Sequence, residues 1–155
     1  MKAKNDAHIA LGEDTNHNGK HYEIVLGGWG NTHSRIRRAN QNPTLASYNG
    51  DVLHSEEDRL FRISWDNTML KVEKATTSGW HSIMLFSGRD TSSYNWTIKH
   101  MMISTGWGAA GSWYNAMTNT KLLSISPTGT PTTDPSSYPT ITPTATPLPP
   151  NHMVR

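Results

Sequence analysis

The sequence predicts an all-β fold. An antiparallel β-sandwich or jelly roll is expected over residues 1–125, followed by an extended, polyproline-II-like Pro/Thr tail at 126–150 and a short C-terminal end, 151–155. Three observations predict it. Alternating or β-rich runs recur between turn residues at roughly 8–12-residue spacing, and no helical period competes with them. All six Trp precede residue 126, where they supply core volume that a 34% apolar content leaves short. Residues 126–150 hold eight Pro, eight Thr and three Ser in 25 positions, too little apolar surface to offset chain entropy.

The expected strands are, in order, Ala7–Leu11, His21–Leu26, Ser34–Arg38, Asp51–His54, Leu60–Trp65, Met69–Lys74, His81–Phe86, Trp96–Ser104, Ser112–Met117 and Lys121–Ile125. Tyr22, Ile24 and Leu26 share one face of their strand. Phe61, Ile63 and Trp65 share another, and Leu70 and Val72 a third. Asn18-Gly19 reads as a hairpin turn, because a type I′ turn needs positive φ at both central positions.

The tail has a register. Pro127, Pro131, Pro135, Pro139, Pro143 and Pro147 fall every fourth residue. Each fixes φ and biases its predecessor toward extended backbone. As polyproline II the 25 residues would span roughly 75–80 Å, at about 3.1 Å per residue. With about three residues per turn, successive prolines face three directions in rotation. Ser/Thr-rich sequence with Pro marks O-glycosylated stalks. The expected attachment points are Thr128, Thr132, Ser136, Thr140 and Thr144, or the register prolines if hydroxylated. A plain linker is the alternative.

Charge and composition exclude several classes. Net charge is +2, and the only basic cluster is Arg35-Ile36-Arg37-Arg38, so nucleic acid is not an expected partner. No apolar run is long enough to span a membrane. Met1-Lys2-Ala3-Lys4-Asn5-Asp6 carries no apolar h-region, so no signal peptide is expected in this sequence. Zero Cys excludes a disulfide scaffold, a Cys-ligated zinc site and thiol catalysis.

Several linked motifs then carry a family likeness. They are Asn5-Asp6-Ala7-His8-Ile9-Ala10-Leu11, the run from Tyr22 through Gly28-Trp29-Gly30 to Thr32, and Ser34–Arg38. Ile63-Ser64-Trp65, Ser104-Thr105-Gly106-Trp107-Gly108-Ala109, Gly111 and Trp113 complete the set. Over roughly residues 2–114 the chain resembles the farnesoic acid O-methyltransferase-like domain. The resemblance implies a β-sandwich module often found in extracellular multidomain proteins. Its name also implies methyl transfer. A usual S-adenosylmethionine methyltransferase needs a Gly-rich turn at a helix N-terminus, and no helical pattern follows Gly27-Gly28-Trp29-Gly30, so catalysis is not expected. The chain departs from the family at Lys4, where members often have Cys, and the apolar strand expected before it is missing or stunted. An incomplete sandwich edge invites strand addition, so an extended tail segment from a neighbouring copy could build a filament.

The candidate sites each have two readings. Trp29 and Trp107 either stack on a sugar ring, with Asn31, Arg35 and Arg37 as polar neighbours, or close the ends of the core. Arg35 and Arg37 share one strand face, with Arg38 on the other, and either bind an acidic glycan's carboxylate or sulfate or form a solvated edge. Asp14, Asn16 and Asn18, with Gly19, match the first half of a calcium loop, and Glu13 or Glu23 would have to supply the missing carboxylate. Otherwise the segment is a polar hairpin, and apart from that Ca²⁺ no cofactor is expected. Asn95-Trp96-Thr97 is the one N-glycosylation sequon. Asp66, Glu56, Glu57 and Asp58 read as solvated caps near turns.

These readings lead to a non-catalytic extracellular or cell-surface protein of structural or adhesive type. It would be a surface or fibre subunit with covalent glycans on its rod and a tendency to self-associate. The alternative is a carbohydrate-binding module that uses the two Gly-Trp-Gly loops, and the third reading is the methyltransferase itself.

Overall fold

Two neighbouring strands, β2 (Ala7–Gly12) and β3 (His21–Gly27), form the centre of the molecule and are buried along their whole length. They pair antiparallel from Ala7↔Leu26 to Gly12↔His21. The computed structural model describes residues 1–15, 19–39, 43–91 and 93–114, with Asn115 and the short segments 123–125 and 140–141 described in backbone only.

The remaining strands are β1 (Lys2–Ala3), β4 (His33–Arg38), β5 (Thr44–Asn49), β6 (Phe61–Trp65), β7 (Leu70–Thr76), β8 (Gly79–Phe86), β9 (His100–Thr105), β10 (Gly111–Asn115), β11 (Leu123–Ile125) and β12 (Thr140–Ile141). A six-stranded sheet has the order β12-β9-β2-β3-β4-β5, and a three-stranded sheet the order β6-β7-β8. A third, small sheet joins β1, β10 and β11. All pairings are antiparallel.

The core lies between the two larger sheets. Ile9, Leu11, Tyr22, Ile24, Leu26, Ile36 and Ile103 face it from one side, and Leu70, Val72, Ile83 and Met84 from the other. Ile83 and Met84 are consecutive yet both buried, because the β7–β8 register shifts between Val72 and Glu73 and a bulge turns both inward. Phe61 and Ile63 pack against this core as their shared face requires, whereas Trp65 is exposed. Arg89 fastens the loop before β9. Its guanidinium donates to the Trp96 carbonyl at 3.1 Å and to the Tyr22 hydroxyl at 3.2 Å, within a cluster of Tyr22, Phe86, Tyr94 and Trp96.

Some expectations change. Asp51–His54 is not a strand. Val52 and Leu53 are buried, but their N–H groups bond to the Asn31 side chain instead of a ladder. The strand lies earlier, at Thr44–Asn49, on the edge of the large sheet. The strand expected from Trp96 starts at His100. Before Asp6, the two residues of β1 pair with Gly111 and Ser112. Asn18 of the expected Asn18-Gly19 turn lies outside the described residues; on either side of that segment, Glu13 N–H donates to the Lys20 carbonyl at 3.0 Å.

Most of the tail, including Thr128, Thr132, Ser136, Thr144 and the register prolines, also lies outside the described residues. Its described segment, Thr140–Ile141, pairs with Met102 and Met101 of β9.

Candidate functional site

The sheet order brings the two Gly-Trp-Gly motifs together. β2 runs antiparallel to both β3 and β9, so those two end at the same edge of the sheet, where β2 begins. Each ends in a Gly-Trp-Gly turn, and Asp6, just before β2, joins the two. Its N–H donates to the Gly27 carbonyl at 3.0 Å, and its carbonyl accepts from Gly106 N–H at 2.8 Å. Asp6 itself has φ 51°.

The turns share a backbone. Trp29 and Trp107 both have φ 53°, followed by Gly30 at φ 71° and Gly108 at φ 74°. A side-chain-bearing residue is uncommon in this left-handed region, and glycine is the natural follower. The second turn closes with Ala109 N–H on the Gly106 carbonyl at 2.9 Å. The first closes with Thr32 N–H on the Gly28 carbonyl at 3.1 Å. The effect is to turn both indole rings outward: Trp29 is 50% exposed and Trp107 86%. They do not close the core. Trp96 and Trp113 are buried there instead.

Between the rings opens a cleft of about 340 Å³ lined by Asp6, His8, Val25, Trp29, Arg37 and Trp107. Its floor is a buried polar network on the face of the sheet turned away from the core. Glu23 accepts from His8 Nδ1 on one carboxylate oxygen and from Arg37 Nε on the other, both at 2.7 Å. Burial pushes the Glu23 carboxyl up, but the two hydrogen bonds outweigh it and hold it at about 2. Asp6 moves the other way. Its burial raises it, against the opposing pull of His8 and Arg37. His8 Nε2 is buried with no hydrogen-bond partner.

The predicted site residues divide. Trp29, Trp107 and Arg37 line the cleft, and Arg35 stacks its guanidinium 4.2 Å from the Trp29 ring centre. Arg35 and Arg37 share a face as expected, while Arg38 lies 6.0 Å over Trp96 on the other. Asn31 is not among the residues that line the cleft. Its Oδ1 accepts from Val52 and Leu53 N–H at 3.2 and 3.0 Å, and its Nδ2 donates to the Leu53 carbonyl at 3.0 Å. Sequence reading missed Asp6 and His8, although both stand within the Asn5–Leu11 motif that carried the family likeness, and it named Glu23 only as a carboxylate for the calcium loop.

Of the expected calcium-loop residues, Asn16 and Asn18 lie outside the described residues, and Asp14 stands beside Gly19. Glu13 pairs with Lys20 and Lys99 at 3.7 and 3.6 Å, and Glu23 is committed to the cleft floor. Asn95 is exposed, on a second cleft of about 340 Å³ that it lines with Glu13, Lys20, Arg38 and Trp96. Asp66 is a cap, as expected: its Oδ1 accepts from Thr68 and Met69 N–H at 2.7 and 2.9 Å.

Comparison with known families decides the lineage. The family model for farnesoic acid O-methyl transferase matches residues 1–119.

The chain belongs to that family.

No curated protein and no solved structure matches the sequence. The family's name implies a methyl donor such as S-adenosylmethionine. The residues here do not fit the usual site for one, because Gly28–Asn31 is a left-handed turn that leads directly into β4 and not into a helix. No helix among the described residues is long and apolar enough to cross a membrane.

Proposed function

We propose that this member of the farnesoic acid O-methyl transferase family is a non-catalytic extracellular adhesive protein whose sandwich binds carbohydrate between Trp29 and Trp107. One observation carries the reading: two largely exposed indoles stand at the mouth of one cleft with a polar floor. Exposed aromatic surface around a cleft with a few convergent polar groups suits an amphipathic ring such as a pyranose. The Pro/Thr register supports a glycan-bearing rod that sets the binding domain off from a cell or fibre surface.

The test is a glycan array probed with the full chain and with Trp29→Ala and Trp107→Ala. Sugar-specific binding lost in either variant is the expected result. An array with no binding would overturn the reading, as would labelled methyl transfer to farnesoic acid by the purified chain. Intact mass and glycopeptide mapping test the rod, which should carry sugar in the four-residue register.

A second observation favours a fibre or surface-array subunit. The outer edge of β9 takes Thr140–Ile141 as a strand. Between Pro139 and Pro143, Thr140, Ile141 and Thr142 each keep the N–H donor that proline lacks. The same edge could take that segment from a neighbouring copy, and filaments in native material would mark such assembly.

A further inference from the structure

We propose that His8 presents Nε2 as a bare hydrogen-bond acceptor in the cleft floor, so that the site takes a neutral, hydroxyl-donating sugar and rejects carboxylated or sulfated ones. This rests on the carbohydrate reading of the cleft.

The tautomer follows from the partners. Glu23 is ionised at any ordinary pH and can only accept. His8 Nδ1 lies 2.7 Å from it, so Nδ1 carries the proton. On this proposal the ring carries that one proton alone, which leaves Nε2 a lone pair and no hydrogen. That atom is buried without a partner, in a residue that is 8% exposed and lines the cleft. An unsatisfied buried acceptor is costly, and a ligand hydroxyl would relieve that cost. Gly106 keeps the space beside it clear, since a Cβ there would stand 2.8 Å from Nε2.

The surrounding charges argue against an anion. Arg37 already bonds Glu23 through Nε, so their charges offset one another. Asp6 adds carboxyl oxygens to the same lining. Arg35 sits over the Trp29 ring and is not among the lining residues. This departs from the acidic-glycan reading that Arg35 and Arg37 suggest in the sequence.

Tryptophan fluorescence titration of the full chain tests it. The probes are methyl glucoside, galactoside and mannoside, their monodeoxy analogues, methyl glucuronide and a methyl glucoside 6-sulfate. The expected result is binding of at least one neutral glycoside, with the charged analogues about tenfold weaker or worse. Removing the one hydroxyl that donates to His8 should cost about tenfold. That penalty should vanish in His8→Phe and persist in part in His8→Gln, which keeps an acceptor.

Tighter binding of the glucuronide or sulfate overturns the inference, and so does an equal deoxy penalty in His8→Phe and the parent. Binding that needs both tryptophans but ignores His8 overturns this inference and leaves the carbohydrate reading standing. Binding of no sugar by the parent overturns both. Should His8→Phe not fold, the ¹⁵N ring resonances of His8 in the parent decide: a proton on Nδ1 and an Nε2 shift on saturation with the glycoside support the inference, and a proton on Nε2 overturns it.

Discussion

Glu23 and Arg37 face each other across β3 and β4, and their side chains meet at 2.7 Å on a face that a strand diagram would assign to solvent. The pair is buried, and His8 takes the carboxylate's second oxygen. Breaking such a pair leaves an uncompensated buried charge, which costs about 3–5 kcal/mol. Glu23→Ala should lose on that order in urea unfolding. Exchanging the pair for apolar residues of similar volume should cost far less.

The same carboxylate sets an acid limit. Its folded-state value is about 2, against an ordinary 4.5. Its stabilisation is therefore fully present above pH 4.5 and is lost as pH falls toward 2, because the unfolded chain takes up the proton first. The loss is on the order of 3 kcal/mol for this group. Glu73 is held at about 2 by the Arg62 hydrogen bond, against its own burial, with Lys71 assisting, and adds to the same window. Urea unfolding between pH 6 and pH 2 should show a steep decline that is shallower in Glu23→Gln.

Asn31 tests whether its loop is held by one side chain. Its amide makes three hydrogen bonds to the buried Val52–Leu53 segment, from a backbone at φ 68°. Asn31→Ala removes the bonds and strains the backbone, so a loss of about 2–4 kcal/mol is expected in thermal or urea unfolding. Asn31→Gly removes the bonds alone and should fall about 1 kcal/mol short of that.

Gly106 and Gly108 separate steric from conformational demand. Gly108 has φ 74° with open space around its Cα, so Gly108→Ala should cost about 1 kcal/mol of strain and leave the cleft intact. Gly106 needs no positive φ, but an added Cβ would press on His8 Nε2 at 2.8 Å. Gly106→Ala should displace the imidazole from Glu23 and weaken sugar binding, read by the His8 ring resonances and by titration.

The tryptophans should divide by burial. Trp107→Ala, at 86% exposure, should leave the melting temperature nearly unchanged while removing binding. Trp96→Ala, from the core at 7% exposure, should cost about 3–5 kcal/mol and act on the fold. Paired melting curves and titrations of the two variants check this.

Much of the fold was legible because period-two alternation reports a core face directly. Tyr22, Ile24 and Leu26 lie where their spacing puts them. The strand at Thr44–Asn49 was not legible, since an edge strand with half-exposed residues carries little apolar signal. Asp51–His54 misled because burial of Val52 and Leu53 looks the same in sequence whether the backbone bonds to a strand or to a side chain. At the site, each Gly-Trp-Gly motif stood out, but their meeting depends on β2 lying between β3 and β9, a long-range pairing. His8 and Glu23 alternate with core residues, so strand periodicity alone gives no sign that both are buried.

The strand order also bears on ligand length. With β2 between them, the strands that end in the two tryptophan turns stand two inter-strand spacings apart, about 9.5 Å. That span is a ruler fixed by backbone hydrogen bonds. A single pyranose is shorter than that separation of strands, while two linked rings match it. Affinity should therefore step up sharply from monosaccharide to disaccharide and flatten for longer chains.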